Sequence, residues 1–233
     1  MEARLFEVVR STMVAGKRYQ GKASDFRRIA HSFSNEVVRF FTGEPGIFDT
    51  RIAFVSSRRG SKEIFLMDYD GFSPRQITRN GTINLNPRWS PDGKRLAYTS
   101  YRERRPGVFV TDLIRGGTRR LALKADLATG AVWSPDGSMI AVALGRRGNT
   151  DLFLFQSDGR LIRRLTTHFA IDVDPSWSPG GKTLAFTSNR SGSPQVFLMD
   201  VTGKNIRRIT FEGRYNSSPA WSPKGDLIAF NGM

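Results

Sequence analysis

A five-residue tryptophan motif recurs at a constant interval and constrains the fold of this chain more than any other feature. Trp89-Ser90-Pro91-Asp92-Gly93 returns in related form at Trp133, Trp177 and Trp221, which include every tryptophan of the sequence. Neighbouring tryptophans are 44 residues apart, since 133 − 89, 177 − 133 and 221 − 177 all give this value. A period of about 40–45 residues is typical of β-propeller blades with four strands each.

Each repeat contains four short strands, which we call A to D. Strand A ends at the tryptophan, and in the second repeat strand B contains Leu96-Ala97-Tyr98, strand C Val108-Phe109-Val110 and strand D Arg119-Arg120. Continuous apolar runs such as B and C are typical of strands buried on both faces, which radially packed blades provide. The Ser-Pro-Asp-Gly segment fits a type I turn between A and B. The sequence therefore predicts a mainly β fold, a β-propeller of WD40-like repeats.

The first 47 residues follow a different pattern and predict a partial α/β segment. Two extended stretches are expected at Leu5–Arg10 and around Lys17–Tyr19, separated by Gly16. Apolar residues at helical spacing then predict one amphipathic helix that starts at Ser24 or Asp25 as its cap; they are Phe26, Ile29, Ala30, Phe33, Val37 and Phe40. We expect two domains, with an α/β piece at 1–47 and an incomplete propeller at 48–233.

Composition excludes several kinds of chemistry. The 233-residue chain has no cysteine, which excludes thiol catalysis and cysteine-based metal sites. Its two histidines, His31 and His168, are not placed near any Gly-x-Ser-x-Gly nucleophile motif, and we expect His31 on the helix surface. We therefore expect no enzymatic activity, no metal and no cofactor. No apolar run approaches the ~20 residues of a membrane span, and no signal peptide is recognisable.

The junction between the two predicted domains resembles one known family. Residues 25–31 (DFRRIAH) and 41–56 (FTGEPGIFDTRIAFVS) are similar to the domain junction of the TolB family, and residues 62–71 (KEIFLMDYDG) resemble its opening blade. The resemblance covers the chain from about Leu5 to Phe230. It implies PD40-type repeats, an N-terminal α/β domain, a six-bladed propeller and no catalysis.

The resemblance also implies a location and partners. TolB-like proteins are periplasmic scaffolds of the Tol–Pal complex, whose propeller binds the lipoprotein Pal and which supports outer-membrane integrity and cell division. Colicins exploit the same site. TolA binds the extreme N-terminus of the family, and we do not expect it to bind this chain. About four of six blades are covered, so we expect a truncated chain, either a fragment or a natural truncation, that self-associates or is marginally stable alone.

Two other functions stay open at this point. The repeats also resemble the propeller that gates serine peptidases of the prolyl oligopeptidase kind, although this chain contains no catalytic domain. The net charge of +15 allows a polyanion binder. However, arginine pairs that begin strand D also serve to protect an exposed sheet edge, and basic and aromatic residues are not interleaved as base stacking requires. We therefore expect no nucleic-acid partner.

The loops at one end of the predicted propeller form the candidate binding site. Because strand A runs into Ser-Pro-x-Gly at one end, the D–A and B–C loops emerge together at the other, where variable loops on a rigid scaffold commonly carry specificity. The candidate D–A residues are Asn84, Leu85, Asn86, Thr129, Asp172, Val173, Asp174, Tyr215 and Asn216. The candidate B–C residues are Arg58, Arg59, Arg104, Arg146 and Arg190. These arginines either steer an acidic partner or are solvated loop charges, and the sequence leaves both interpretations open.

Overall fold

A computed structural model describes residues 2–58, 60–121, 125–146 and 148–233. The chain forms two compact units, the first made of 1–53 with 65–77 and the second of 54–64 with 78–233. The predicted domain boundary after residue 47 stays a prediction. Among the described residues, no helix has both the length and the apolar character needed to cross a membrane.

The described elements are one α-helix, one 3-10 turn and a succession of β-strands. The helix α1 is Phe26–Thr42, preceded by the 3-10 turn Ala23–Asp25. The strands are β1 Glu2–Glu7, β2 Thr12–Arg18, β3 Arg51–Ser56, β4 Glu63–Asp68, β5 Arg75–Gln76, β6 Asn84–Trp89, β7 Arg95–Ser100, β8 Gly107–Asp112, β9 Thr118–Arg120, β10 Leu127–Trp133, β11 Met139–Arg146, β12 Asn149–Gln156, β13 Leu161–Arg164, β14 Asp172–Trp177, β15 Thr183–Ser188, β16 Gln195–Asp200, β17 Arg207–Arg208, β18 Asn216–Trp221 and β19 Ile228–Gly232.

The repeats fold into successive antiparallel sheets, which confirms the predicted mainly β, propeller-type architecture. The second, third and fourth sheets have the strand orders β6-β7-β8-β9, β10-β11-β12-β13 and β14-β15-β16-β17. They represent strands A to D of one repeat each. The first sheet, β3-β4-β5, contains B to D, and the fifth, β18-β19, contains A and B.

The hydrophobic core of the second unit lies between neighbouring sheets. Strand B residues Leu96, Ile140 and Leu184 are fully buried, as are the alanines that follow them. One cluster joins strands of the second and third sheets, another joins the third and fourth, and a smaller one joins the fourth and fifth. Burial on both faces is the reason that B and C are apolar without alternation.

The Ser-Pro-x-Gly segments form the predicted turns between A and B. In each of the four, the glycine N–H donates to the serine carbonyl at 2.9–3.0 Å, as a four-residue turn requires. Asp92 and Asp136 reinforce two of the turns, because their carboxylates accept from the hydroxyls of Ser90 and Ser134 at 2.5 Å. These serine hydrogen bonds, with those from following backbone amides, hold the pKa of each carboxyl below its ordinary value.

The N-terminal hairpin differs from the prediction. Strands β1 and β2 pair through residues 2–7 and 12–18, and Gly16 lies inside β2 opposite Arg4 instead of separating two strands. The turn falls at 8–11, where Ser11 has a φ of 52°. A serine provides the left-handed position, so the glycine misled the sequence interpretation.

Helix α1 forms where predicted and begins at a predicted cap residue, but its buried face is smaller than expected. Asp25 is the N-cap residue without a side-chain cap bond, because its carboxylate accepts from the Lys22 N–H at 3.0 Å instead. Gly43 ends the helix in the left-handed conformation. Ile29 is buried, whereas Phe26 and Phe40 are 61% and 55% exposed. Spacing alone predicted one continuous apolar face.

A stripe of polar side chains at i, i+4 and i+8 carries the contacts of α1 within the first unit. Arg27 donates to Asp70 and lies 4.1 Å from the Phe72 ring centroid. His31 packs edge-on against Tyr69 at 5.6 Å, so it is not the simple surface residue that the sequence suggested. Asn35 accepts from the Phe48 N–H at 2.9 Å and donates to Asp49 at 2.8 Å.

Candidate functional site

The D–A and B–C loops of the second unit meet at one end of the sheets. The Asn84 N–H donates to the Lys62 carbonyl at 2.8 Å and the Asn216 N–H to the Pro194 carbonyl at 2.8 Å, so β6 and β18 begin against the B–C loop of the preceding sheet. Within one sheet, the Tyr101 N–H donates to the Ile83 carbonyl at 3.0 Å. We call the surface formed by these two sets of loops the binding face.

Strand A of four sheets carries a β-bulge at the same position. The register shifts between Leu85 and Arg88, and correspondingly in β10, β14 and β18. Each bulge contains one residue with left-handed φ; these residues are Asn86 at 53°, Gly130 at 64°, Asp174 at 52° and Ser218 at 53°. Asparagine, aspartate and glycine tolerate this conformation best, which explains three of the four residue types. The Ser218 hydroxyl donates to Asp174 at 3.1 Å, so neighbouring bulges are in contact.

Three of the candidate residues are buried in polar clusters below the face. Asn84 and Asp172 are fully buried and Asn216 is 3% exposed. Each belongs to what we call a polar node: a residue at the start of strand C, a threonine after strand D, and the first strand A residue of the next sheet. The equivalent positions are Glu63–Thr78–Asn84, Asp151–Thr166–Asp172 and Gln195–Thr210–Asn216; hydrogen bonds join all three residues of the first and third sets, and join Thr166 to Asp151 in the second. Without exposed surface, Asn84, Asp172 and Asn216 position the loops and do not present their side chains to a partner.

The other D–A candidates lie nearer to solvent. Asn86 is exposed, Asp174 half-buried and Tyr215 41% exposed. Leu85, Thr129 and Val173 are half-buried on strand A, and Val173 packs against the cluster between the third and fourth sheets. Fewer residues of the candidate site are therefore exposed than the sequence predicted.

A set of apolar side chains, which we call the apolar ring, was missed by the sequence interpretation except for one member. Each of its residues directly precedes a buried residue near the start of strand A, and each is itself exposed. They are Ile83 at 43%, Leu127 at 37%, Ile171 at 45% and Tyr215 at 41%. They recur every 44 residues, so an alignment of the repeats shows an apolar residue at this position in all four. Exposed apolar residues in one patch are a common sign of a protein-binding surface.

The arginines of the B–C loops divide into two groups. Arg58, Arg104 and Arg146 are exposed. Arg190 is only 14% exposed and donates to both carboxylate oxygens of Asp172 at 2.9 and 3.0 Å, so it supports the loop and does not serve as a rim charge. Arg59 lies outside the described residues. The three exposed arginines remain candidates for contact with a partner.

The described residues offer little for catalysis. No group of three or more histidine, aspartate or glutamate residues among them is arranged to hold a metal ion. The His168 Nδ1 atom accepts from the Ala170 N–H at 3.1 Å, and the His168 ring packs against the Phe169 ring. The His31 ring packs against the Tyr69 ring.

Comparison with known proteins gives a consistent similarity. A family model described as the TolB beta propeller domain matches residues 38–233. Proteins named Tol-Pal system protein TolB from Geobacter metallireducens and Desulfosudis oleivorans are 53% and 51% identical to this chain over 94 residues. Each alignment covers 40% of this chain and 22% of the relative, so it spans about a fifth of those proteins.

A solved structure extends the similarity to nearly the whole chain. The crystal structure of TolB from Acinetobacter baumannii matches with a TM-score of 0.86 and 29% sequence identity. The match covers 97% of this chain and 58% of that structure. The arrangement of the described elements is therefore similar to the corresponding part of a longer protein.

Proposed function

Because this chain belongs to the TolB β-propeller family, we propose that it is a non-enzymatic, protein-binding scaffold of the Tol–Pal type. The proposed partner is the peptidoglycan-associated lipoprotein Pal, bound at the binding face. The proposed location is the periplasm, and the proposed cellular role is support of outer-membrane integrity and cell division. Relatives named as Tol-Pal system proteins and the matching TolB structure support this proposal.

The single observation that carries the proposal is the apolar ring beside exposed arginines. Isolated apolar side chains on a surface are ordinary, but four at one structural position on neighbouring sheets are not explained by chance exposure. Stable interfaces combine an apolar centre with a polar rim. Ile83 and Ile171 would supply apolar contact, and Arg58, Arg104 and Arg146 would attract a partner with an acidic surface.

The polar nodes and bulges give this surface a fixed shape. The first and third nodes, next to Ile83 and Tyr215, satisfy the buried polar groups at the start of strand A. The bulges turn the strand where it reaches the face, as bulges commonly do near binding sites. A surface that is rigid before binding loses less conformational entropy on association. This favours a scaffold that recognises a folded partner.

The test is a binding titration of the chain with the periplasmic domain of Pal. An Ile83→Ser, Ile171→Ser double variant should bind about tenfold more weakly, since each substitution removes part of an apolar contact worth about 1 kcal/mol. The matched control is Ile114→Ser, because Ile114 is 73% exposed in the C–D turn at the opposite end of its sheet. Equal affinities of the double variant and the control would contradict the assignment of the binding face.

A further inference from the structure

Two arginines of the second sheet line one pocket at the end of the sheet opposite to the binding face. Arg95 begins β7, Arg119 lies in β9, and the pocket that they line has a volume of about 390 Å³. The strand pairing places Arg95 opposite Asp112 and Arg119 opposite Val110. Because residues two apart on a strand point to the same side, both arginines lie on one face of the sheet.

The third sheet holds both guanidinium groups at the same place. The Arg95 Nη2 atom lies 3.9 Å from the position that a Cβ on Gly137 would take, in the A–B turn of the third sheet. Arg119 donates to the Ser157 carbonyl in the C–D turn of that sheet. These two turns adjoin, since the Ser157 N–H donates to the Ser138 carbonyl at 2.8 Å. Both guanidinium groups therefore lie at one end of the cleft between the second and third sheets.

The positive charges of this pocket are poorly neutralised. Among the described residues, Arg95 has a carboxylate partner only in Asp92 at 4.0 Å, and no carboxylate lies within that distance of Arg119. Asp112 lines the pocket, but its carboxylate accepts from two backbone N–H groups of its own C–D turn at 2.8 and 2.9 Å. Partial burial and the nearby charge of Arg95 lower the pKa of Arg119, although Asp158 acts in the opposite direction. An anion between the two guanidinium groups would relieve this repulsion.

Packing alone does not explain a positive charge at residue 95. The Arg95 guanidinium lies 4.6 Å from the ring centroid of Trp133, which is 7% exposed. One repeat later the equivalent residues are Met139 and Trp177, and Trp177 is buried to the same extent, with 8% exposed. Met139 packs against the hydrophobic cluster that contains Trp177. An uncharged side chain therefore serves equally well to cover the tryptophan of the next sheet.

The first sheet repeats the arrangement within the first unit. A pocket of about 200 Å³ there is lined by Arg51, Asp68 and Arg75, each 44 residues before its counterpart in the second sheet. The third and fourth repeats keep the strand D arginine, as Arg163 and Arg207, but have methionine and threonine in place of the second arginine. A pocket with two arginines and an aspartate is thus a recurring feature of the first two repeats.

We propose that the pocket of Arg95 and Arg119 binds a phosphate group, held between the two guanidinium groups. A guanidinium group donates two parallel hydrogen bonds to an oxyanion, and a phosphate has enough oxygens to accept from both arginines at once. Gly116 and Gly117 leave the pocket open beside the C–D turn, since a Cβ at either position would have no atom within 4 Å. The phosphate is either the free ion or the headgroup of an anionic phospholipid. This site is separate from the binding face and does not depend on Pal.

The test follows the arginine Nε–Hε signals of the 15N-labelled chain by NMR while inorganic phosphate is added at constant ionic strength. We expect the signals of Arg95 and Arg119 to shift saturably with one dissociation constant. Arg95→Met, which introduces the residue found one repeat later, and Arg119→Gln should each weaken binding at least about tenfold, because each removes hydrogen bonds to a charged group.

The matched control is Arg163→Gln. Arg163 is the exposed strand D arginine of the third sheet, where no second arginine accompanies it, so this variant should bind phosphate as the wild type does. Equal affinities of Arg119→Gln and Arg163→Gln would overturn the proposal, as would shifts of the wild-type signals that grow without saturation. Arg119→Gln decides the question if Arg95→Met fails to fold, since Arg119 lies on an exposed strand.

Vesicles distinguish the two sources of the phosphate group. The wild type and the three variants are sedimented with phosphatidylcholine vesicles that contain or lack phosphatidylglycerol. Sedimentation that requires phosphatidylglycerol, and that Arg119→Gln loses but Arg163→Gln retains, assigns the lipid headgroup. Saturable binding of inorganic phosphate without sedimentation assigns the free ion. Both results agree with a phosphate site, and the absence of both kinds of binding would overturn it.

Discussion

Substitution of Gly203 by alanine tests the close packing of neighbouring sheets. Gly203 lies in the C–D turn of the fourth sheet with a φ of 83°, and an added Cβ would be 2.6 Å from the carbonyl oxygen of Leu165. Leu165 follows strand D of the third sheet and is 5% exposed. The equivalent glycine one repeat earlier, Gly159, has a φ of 93°, and its Cβ would meet the end of the Arg119 side chain at 3.2 Å.

The magnitude follows from comparing the two sites. Alanine in the left-handed conformation costs about 1–2 kcal/mol at either position. At Gly159 the arginine side chain can move aside, so we expect a total loss of about 1–2 kcal/mol. At Gly203 the obstacle is backbone, which adds an overpacking cost of about 1–3 kcal/mol. We therefore expect Gly203→Ala to lose about 2–5 kcal/mol.

The assay is urea denaturation of the wild type, Gly159→Ala and Gly203→Ala. The free energy of unfolding is extrapolated to water, and the denaturant slope is checked for an unchanged extent of unfolding. Losses that agree within error at the two sites would show that the turn of the fourth sheet does not press against the Leu165 backbone, and would refute the packing argument.

Two further predictions concern charges. Reversal of Arg58, Arg104 and Arg146 to glutamate should slow association with Pal about tenfold at low salt and flatten its salt dependence, as measured by stopped flow. The control Arg115→Glu, in a C–D turn, should change neither. An unchanged association rate in the triple variant would contradict the hypothesis that these arginines attract the partner. Asp136→Asn should destabilise the chain at pH 7, because hydrogen bonds from serine lower the pKa of Asp136. That difference should shrink as the pH falls from the ordinary value toward the lowered pKa, as melts at pH 7 and pH 3 would show; a difference of unchanged size at pH 3 would count against the turn assignment.

The sequence was sufficient to predict the sheets because the repeat carries redundant signals. The same strand boundaries are predicted by Trp133, by the turn at Ser134 and by the apolar runs on either side. An ambiguous residue at one position therefore does not change the predicted strands. The N-terminal unit lacks this redundancy. Gly16 predicts a break between two strands, whereas it lies within β2 and the left-handed residue of the hairpin is Ser11.

The candidate site was predicted less completely, since burial depends on contacts between sheets. Asn84 and Asn86 have the same residue type two positions apart, yet one is buried in a node and the other is exposed on a bulge. No local pattern separates them, because the bulge that reverses the alternation is seen only in the strand pairing. The same cause concealed the role of Arg190, whose partner Asp172 is 18 residues away in sequence.

A calorimetric titration of the 233-residue chain with the periplasmic domain of Pal, together with a thermal melt, tests the central claim most directly. The account predicts saturable one-to-one binding, with an affinity about tenfold lower in the Ile83→Ser, Ile171→Ser variant. A cooperative melt without any binding would contradict the proposal that this face of the TolB-like repeats is a binding site for Pal.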